Sequence, residues 1–189
     1  EQKTCNIVIL RHAHRDEDKS IKGYLNEKGL QHRNILKYLL PTNNYLKTAV
    51  FSSPYVRCIQ TVENFIGRNF VYIDPNLREF NEEFNTSLED IYNEIETYNK
   101  EGVIEISNQF NTPARLYDGS VVETNGEMKE RCKEFKNKIE NILLKASYKN
   151  IVICTHGSIA EELIYLFTGE KLPMLEMGTF LNIPYKYYA

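Results

Sequence analysis

The sequence predicts an α/β domain: a mostly parallel sheet with helices on both faces. Three observations carry that prediction. Short apolar runs, most of them rich in Val and Ile, recur at Ile7–Leu10, Thr48–Ser52, Phe70–Ile73, Ile151–Cys154 and Phe180–Ile183, and runs of this length and branching read as buried strands. Segments of helical periodicity separate most of them, and alternation of strand and helix is the pattern of parallel β–α–β units. Two of the runs lead directly to a histidine, His12 after Ile-Val-Ile-Leu-Arg and His156 after Ile-Val-Ile-Cys-Thr. In a parallel sheet both project from the same edge, which is where open α/β sheets bind ligands.

In chain order, the first strand closes on Arg11-His12-Ala13-His14-Arg15, and Asp16–Lys22 is a charged loop. A helical pattern opens at Leu25, carries Leu30, Ile35, Leu36, Leu39 and Leu40, and is stopped by Pro41. After the second strand, Ser52-Ser53-Pro54 reads as a helix start, because serines cap free amides and proline suits a first turn. That helix carries Arg57, Ile59, Thr61, Val62 and Phe65 and ends at Gly67. The third strand leads through Pro75 to Leu77-Arg78-Glu79-Phe80. Leu88, Ile91, Ile95 and Tyr98 predict a helix over Ser87–Lys100, and Asn111–Asn125 reads as a loop. From Thr124 a long amphipathic helix runs to about Lys145 with Met128, Cys132, Phe135, Ile139, Ile142 and Leu143 as its inner stripe. The fourth strand ends at Thr155-His156-Gly157-Ser158, followed by a helix through Ile159, Leu163, Ile164 and Phe167 to Gly169.

The totals bound the function. At 189 residues the length suits about one domain, 1–189, and 42% hydrophobic residues suffice for a real core. A net charge of −3 gives no global attraction to nucleic acid or to an acidic membrane, so neither is an expected partner. Cys5, Cys58, Cys132 and Cys154 are far apart and form no C-x-x-C pair; they read as buried free thiols of a reducing, cytoplasmic compartment. No run approaches the ~20 apolar residues of a membrane span, and no signal peptide is visible. The apolar, aromatic segment Met174–Tyr188 either completes the sheet or pairs two copies as a homodimer.

A histidine at a strand end is unremarkable singly, but two at one edge, one of them flanked by arginines, form a set. Arginines there suggest a phosphate, which a guanidinium grips with two parallel hydrogen bonds. Arg57, in the first turn of its helix, opposes the helix dipole and so favours an anion partner. These are parts for phosphoryl transfer through a histidine. Neutral His12 attacks phosphorus; Arg11, Arg15, Arg57 and a protonated His156 neutralise the phosphoryl oxygens; Glu79 protonates the leaving oxygen and later takes a proton from water. The amides of Gly157 and Ser158, opening a helix, add donors. No metal or other cofactor is required, since the arginines act as the cation.

Arg11-His12-Ala13, Ser53-Pro54-Tyr55-Val56-Arg57 with Gln60-Thr61, Leu77-Arg78-Glu79-Phe80 and Thr155-His156-Gly157 resemble, in order, the four signature segments of the histidine phosphatase, or phosphoglycerate mutase-like, superfamily. The resemblance spans residues 7–160. It implies a three-layer α/β/α sandwich with the site at the carboxyl edge of the sheet, His12 as nucleophile, Arg11, Arg57 and His156 as the phosphate pocket, and Glu79 as acid. Arg-His-Ala-His-Arg and Ser-Ser-Pro-Tyr-Val-Arg-Cys-Ile-Gln-Thr are similar to the branch containing the T-cell-signalling suppressor and steroid-phosphate phosphatases, which adds Arg15 to the pocket. Ala13 stands where glycine is usual, and His14 where that branch has glutamate. Arg15-Asp16-Glu17-Asp18 occupies the stretch where mutases carry serine or threonine and then asparagine.

The expected activity is therefore hydrolysis of phosphate monoesters, on a phosphorylated small molecule or phosphoprotein. A phosphoglycerate or phosphosugar mutase and a non-catalytic phosphate-binding module are the alternatives. Residues 81–125 form the expected lid-like insertion, with Phe80, Phe84 and Tyr117 as walls or as ordinary core. Asp16, Glu17 and Asp18 either form a solvated loop or rim the site. Glu127 is explained by helix capping.

Overall fold

The fold was read from a computed structural model that describes residues 1–40, 47–65, 70–80, 87–99, 105–107 and 123–188. Six strands form one sheet in the order β4-β3-β2-β5-β1-β6. They are β1 (Gln2–Arg11), β2 (Thr48–Ser52), β3 (Phe70–Ile73), β4 (Glu105–Ser107), β5 (Asn150–Thr155) and β6 (Phe180–Tyr188). The helices are α1 (Glu27–Leu39), α2 (Val56–Val62), α3 (Leu88–Tyr98), α4 (Asn125–Lys145) and α5 (Gly157–Thr168). All neighbouring strands are parallel except β6, which runs antiparallel to β1.

Alternation of side chains across the strands divides the core into two layers. Cys5, Ile7, Ile9, Phe51, Ile151 and Ile153 point to the face covered by α4 and α5, against Phe135, Ile139, Leu163 and Ile164. Val8, Leu10, Val50, Val152 and Cys154 point to the other face, against Leu36, Ile59, Val62 and Ile95 from α1, α2 and α3. This is the expected α/β/α sandwich with a mostly parallel sheet.

Several elements differ from expectation for physical reasons. In α1 Leu36 is buried, but Ile35 and Leu39 are exposed, because a single helical stripe faces the sheet. Asn26 caps it, accepting from Gly29 N at 3.0 Å. The second helix begins at Val56 rather than at the serines, and its N-cap, Tyr55, makes no side-chain capping bond. β4 was not legible as a strand. β1 begins five residues earlier than its apolar run because Gln2–Asn6 continue the antiparallel ladder with β6. Met174–Tyr188 completes the sheet through β6. The stripe of α4 is buried as expected, and Thr124 with Glu127 closes a capping box. All four cysteines are free and buried. Pro41, Gly67, Phe84, Lys100, Tyr117 and most of the expected insertion lie outside the described residues. No helix among the described residues is long and apolar enough to cross a membrane.

Candidate active site

The register of the central strands brings the two histidines together. Arg11 pairs with Thr155 across β1 and β5, and His12 N donates to Thr155 O at 3.0 Å. The chain leaves both strands there, and the His12 and His156 rings meet edge-on with centroids 5.3 Å apart. Both residues are buried.

The surroundings of His12 fix its tautomer. Its Nδ1 lies 2.8 Å from Ala13 O. A carbonyl only accepts, so Nδ1 carries the proton and Nε2 keeps its lone pair. Burial pushes the His12 pKa well below the ordinary histidine value, and the charges of His156 and Arg57 push the same way. His12 is therefore a neutral imidazole with a free ring nitrogen. The turn that presents it is tied to α2: Thr61 Oγ1 accepts from Ala13 N at 3.0 Å and donates to Arg57 O at 2.7 Å.

His156, which opens α5, has a hydrogen-bond partner at one ring nitrogen and a carboxylate beside the other. Nε2 lies 2.8 Å from Ser53 Oγ, and Nδ1 lies 3.0 Å from Glu79 Oε2. Burial disfavours its charged form, but the Cys58 sulfur, 3.6 Å from Nε2, and the Glu79 carboxylate outweigh burial and raise its pKa. The two histidines thus shift in opposite directions from opposite environments.

Arg57 is completely buried. Its Nη1 donates to Ser20 O at 2.7 Å and its Nη2 to Lys19 O at 3.3 Å, while Nη2 stands 3.5 Å from Glu79 Oε2. The Asp16–Lys22 loop is thereby folded over Arg57, with Asp16, Glu17 and Asp18 exposed on it. Tyr55 lies under the Arg57 guanidinium, 4.6 Å from ring centroid to Cζ, and packs edge-on to His156. Burial favours a protonated Glu79, but His156 and Arg57 win and hold its carboxyl far below the usual range.

Arg11 donates from Nη1 to Leu175 O at 2.7 Å. Arg15 donates to Asp16 O at 2.6 Å and Asp18 O at 3.2 Å, close enough to Arg57, Glu79 and Arg11 to feel their charges. Gly157 packs so closely that a Cβ there would stand 3.2 Å from Arg11 Cζ and 2.6 Å from Met174 Sδ. The Nε atoms of Arg11, Arg15 and Arg57 are buried without a hydrogen-bond partner among the described residues. Arg33 Nε, whose guanidinium binds Gln60 O and Glu63, is orphaned in the same way, so what suits an anion is the gathering of Arg11, Arg15, Arg57 and His156 at one edge, where they feel one another's or Glu79's charge. The first amides of α5 have no intrahelical acceptor and face the same edge.

The family model of the histidine phosphatase superfamily (branch 1) matches residues 7–182. The chain belongs to this superfamily. Solved structures agree on the fold of this histidine phosphatase superfamily member. Phosphoglycerate mutase from Bacillus anthracis str. Sterne is similar at a TM-score of 0.69 and 18% identity, covering 97% of this chain and 89% of that one. The ecdysone phosphate phosphatase from Bombix mori, in complex with tungstate, is similar at 0.63 and 14% identity, covering 96% and 86%. A putative alpha-ribazole-5'-P phosphatase from Escherichia coli K-12 is similar at 0.61 and 17%, covering 95% and 90%. A search of curated protein sequences finds no match.

His12, Glu79 and His156 also form the one group of metal-type ligands among the described residues, with donor atoms within 4.8 Å of one another. Glu79 Oε2 already faces His156 Nδ1 and Arg57 Nη2, so a cation there would meet their positive charge.

Arg11, His12, Arg57, Glu79, His156 and Gly157 are brought together at this sheet edge, and Arg15 feels the charges of Arg57, Glu79 and Arg11. Three contacts at this edge are not legible in the sequence. Ser53 was read as a helix cap, yet its hydroxyl engages His156 and accepts from Tyr55 N at 3.2 Å. Cys58 was read only as a buried thiol. Thr61 lies in the second signature segment, and that was the only available signal of its role.

Proposed function

We propose that the chain is a metal-independent phosphatase that hydrolyses phosphate monoesters through a phosphohistidine on His12. The observation that carries this reading is the His12 ring, which is neutral, buried and anchored at Nδ1, so that Nε2 is presented as a nucleophile.

In this reading a phosphate dianion enters among Arg11, Arg15, Arg57, His156 and the Gly157 amide. Its charge compensates Arg57 and His156, which relieves the cause that keeps Glu79 ionised, so that Glu79 takes up a proton from solvent as the substrate binds. His12 Nε2 then attacks phosphorus as the bond to the ester oxygen breaks, and Glu79 gives its proton to that oxygen. A water next attacks the phosphoryl group on His12, its proton passing to Glu79, and phosphate leaves. The guanidinium groups stabilise the equatorial oxygens in both transition states. Residues 1–189 act as one catalytic domain on a phosphorylated small molecule or phosphoprotein of the cytoplasm. Within the superfamily we place it nearest the branch of T-cell-signalling suppressor and steroid-phosphate phosphatases, on the Arg-His-Ala-His-Arg segment.

The test is steady-state hydrolysis of a generic aryl phosphate with a chelator present, wild type beside His12→Ala. Turnover that survives the chelator and disappears in the variant supports the phosphohistidine route. Phosphate binding without turnover in the wild type would favour a binding module, and rapid phosphoryl exchange between acceptors with slow loss to water would favour a mutase.

A further inference from the structure

Glu79 rides on a segment with little regular structure. A single 3-10 turn, Pro75–Leu77, precedes it. What fixes that segment comes largely from α4. Arg131 donates from Nη1 to Asn76 O at 2.5 Å and from Nη2 to Glu79 O at 3.3 Å. It therefore holds the backbone of the acid itself. The same guanidinium is clamped by Glu123, with Nε 2.5 Å from Oε1 and Nη2 2.9 Å from Oε2. Arg78, next to Glu79 in sequence, reaches Glu123 Oε1 at 3.2 Å. Two turns further along α4, Lys138 stands 2.6 Å from Asp74 Oδ2, and Asp74 Oδ1 accepts from Asn76 N at 2.9 Å.

Arg131 and Glu123 are both buried. A buried ion pair is weak ground for a stability role, since apolar side chains of similar volume often serve as well. An apolar pair could not bind two backbone carbonyls at fixed positions. The fork of an arginine can, provided a carboxylate fixes its plane. We infer that Arg131, oriented by Glu123, is a positioning residue that sets where the Glu79 carboxyl stands relative to the leaving oxygen. It acts through the Asn76 and Glu79 carbonyls rather than on substrate. The inference rests on the reading of Glu79 as the general acid.

Leaving-group dependence tests it. An aryl phosphate with an acidic phenol departs without much help from an acid, whereas an alkyl phosphate needs the proton. The kcat/KM values for the two, which report the step in which the leaving group departs rather than the hydrolysis of the shared phosphohistidine, are compared in wild type, Glu123→Gln, Arg131→Met and Glu79→Gln. Their ratio within each variant does not depend on how much of the preparation is folded. Glu123→Gln and Arg131→Met are expected to lower the alkyl rate about tenfold or more and the aryl rate about threefold or less. Glu79→Gln is expected to show the same split more steeply. A Glu79→Gln enzyme with no split would overturn the reading of the acid itself. A split in Glu79→Gln, with an unchanged ratio in both Glu123→Gln and Arg131→Met, would overturn the positioning role alone. Should Arg131→Met prove too unstable to assay, the ratio in Glu123→Gln decides.

Discussion

His12 Nδ1 lies 2.8 Å from Ala13 O, the carbonyl of its own neighbour. That contact sets the ring proton on one nitrogen and frees the other. No distant side chain has to orient the nucleophile, and the turn that provides the carbonyl is itself held by Thr61. Across the pocket His156 is oriented differently, through Ser53 and Glu79.

Ser53→Ala removes the acceptor at His156 Nε2. Losing one buried hydrogen bond to a charged ring is worth about 1–2 kcal/mol, so kcat/KM is expected to fall on the order of tenfold. Because the lost bond favours the charged imidazole, the basic limb of the pH–rate profile should move to lower pH. An unchanged basic limb would show that Ser53 does not act on His156.

Arg57→Lys keeps the charge but loses the fork that serves Ser20 O, Lys19 O and Glu79 together. Stability should fall by about 3 kcal/mol, measured by denaturant unfolding. The inhibition constant for inorganic phosphate should rise on the order of a hundredfold. A variant that binds phosphate as the wild type does would remove Arg57 from the pocket.

Much of this was legible in the sequence because the signals are local. β2 and β3 coincide with the residues of their apolar runs, and the two histidine-ending strands give the sheet edge directly. β4 was missed because Glu-Ile-Ser is three residues with no alternation to detect. Ser53 reads as a cap because serine before proline is a good capping signal, whereas its backbone continues from β2 beside β5, donating to Cys154 O at 2.9 Å, and this brings its hydroxyl to His156. The Glu123–Arg131 clamp joins a residue before α4 to one inside it. Its purpose depends on a third segment, around Asn76 and Glu79, that sequence spacing does not connect to it.

The two histidines should contribute to stability with opposite pH dependence. The folded-state pKa of His12 is lowered, so below about 6.5 the unfolded chain takes up a proton that the folded one refuses, and stability is lost as pH falls through that value. The folded-state pKa of His156 is raised, so its contribution is full below about 6.5 and is lost as pH rises through the raised value. Melting temperatures of His12→Gln and His156→Gln, each minus wild type, should therefore diverge. From pH 7.5 to 5.5 the first difference should move in the variant's favour, and from pH 6 to 8 the wild type's advantage over the second should shrink. Parallel curves would contradict the assigned environments.

Gly157→Ala puts a methyl against the tip of Met174, which can move, and against Arg11, which is held by Leu175 O. The melting temperature should change little, while the inhibition constant for phosphate should rise a few-fold, on the order of 1 kcal/mol. An affinity equal to wild type would show that the Arg11 position does not matter to binding.

The central claim is the phosphoryl group on His12, and a rapid-quench trap tests it most directly. Wild type is mixed with labelled aryl phosphate, stopped in denaturant at alkaline pH, where phosphohistidine survives, and digested. The account predicts an acid-labile, alkali-stable label on the peptide containing His12, absent from His12→Ala, whose turnover should be lower by on the order of 10^4-fold or more. Label on any other residue, or undiminished turnover in His12→Ala, would contradict it.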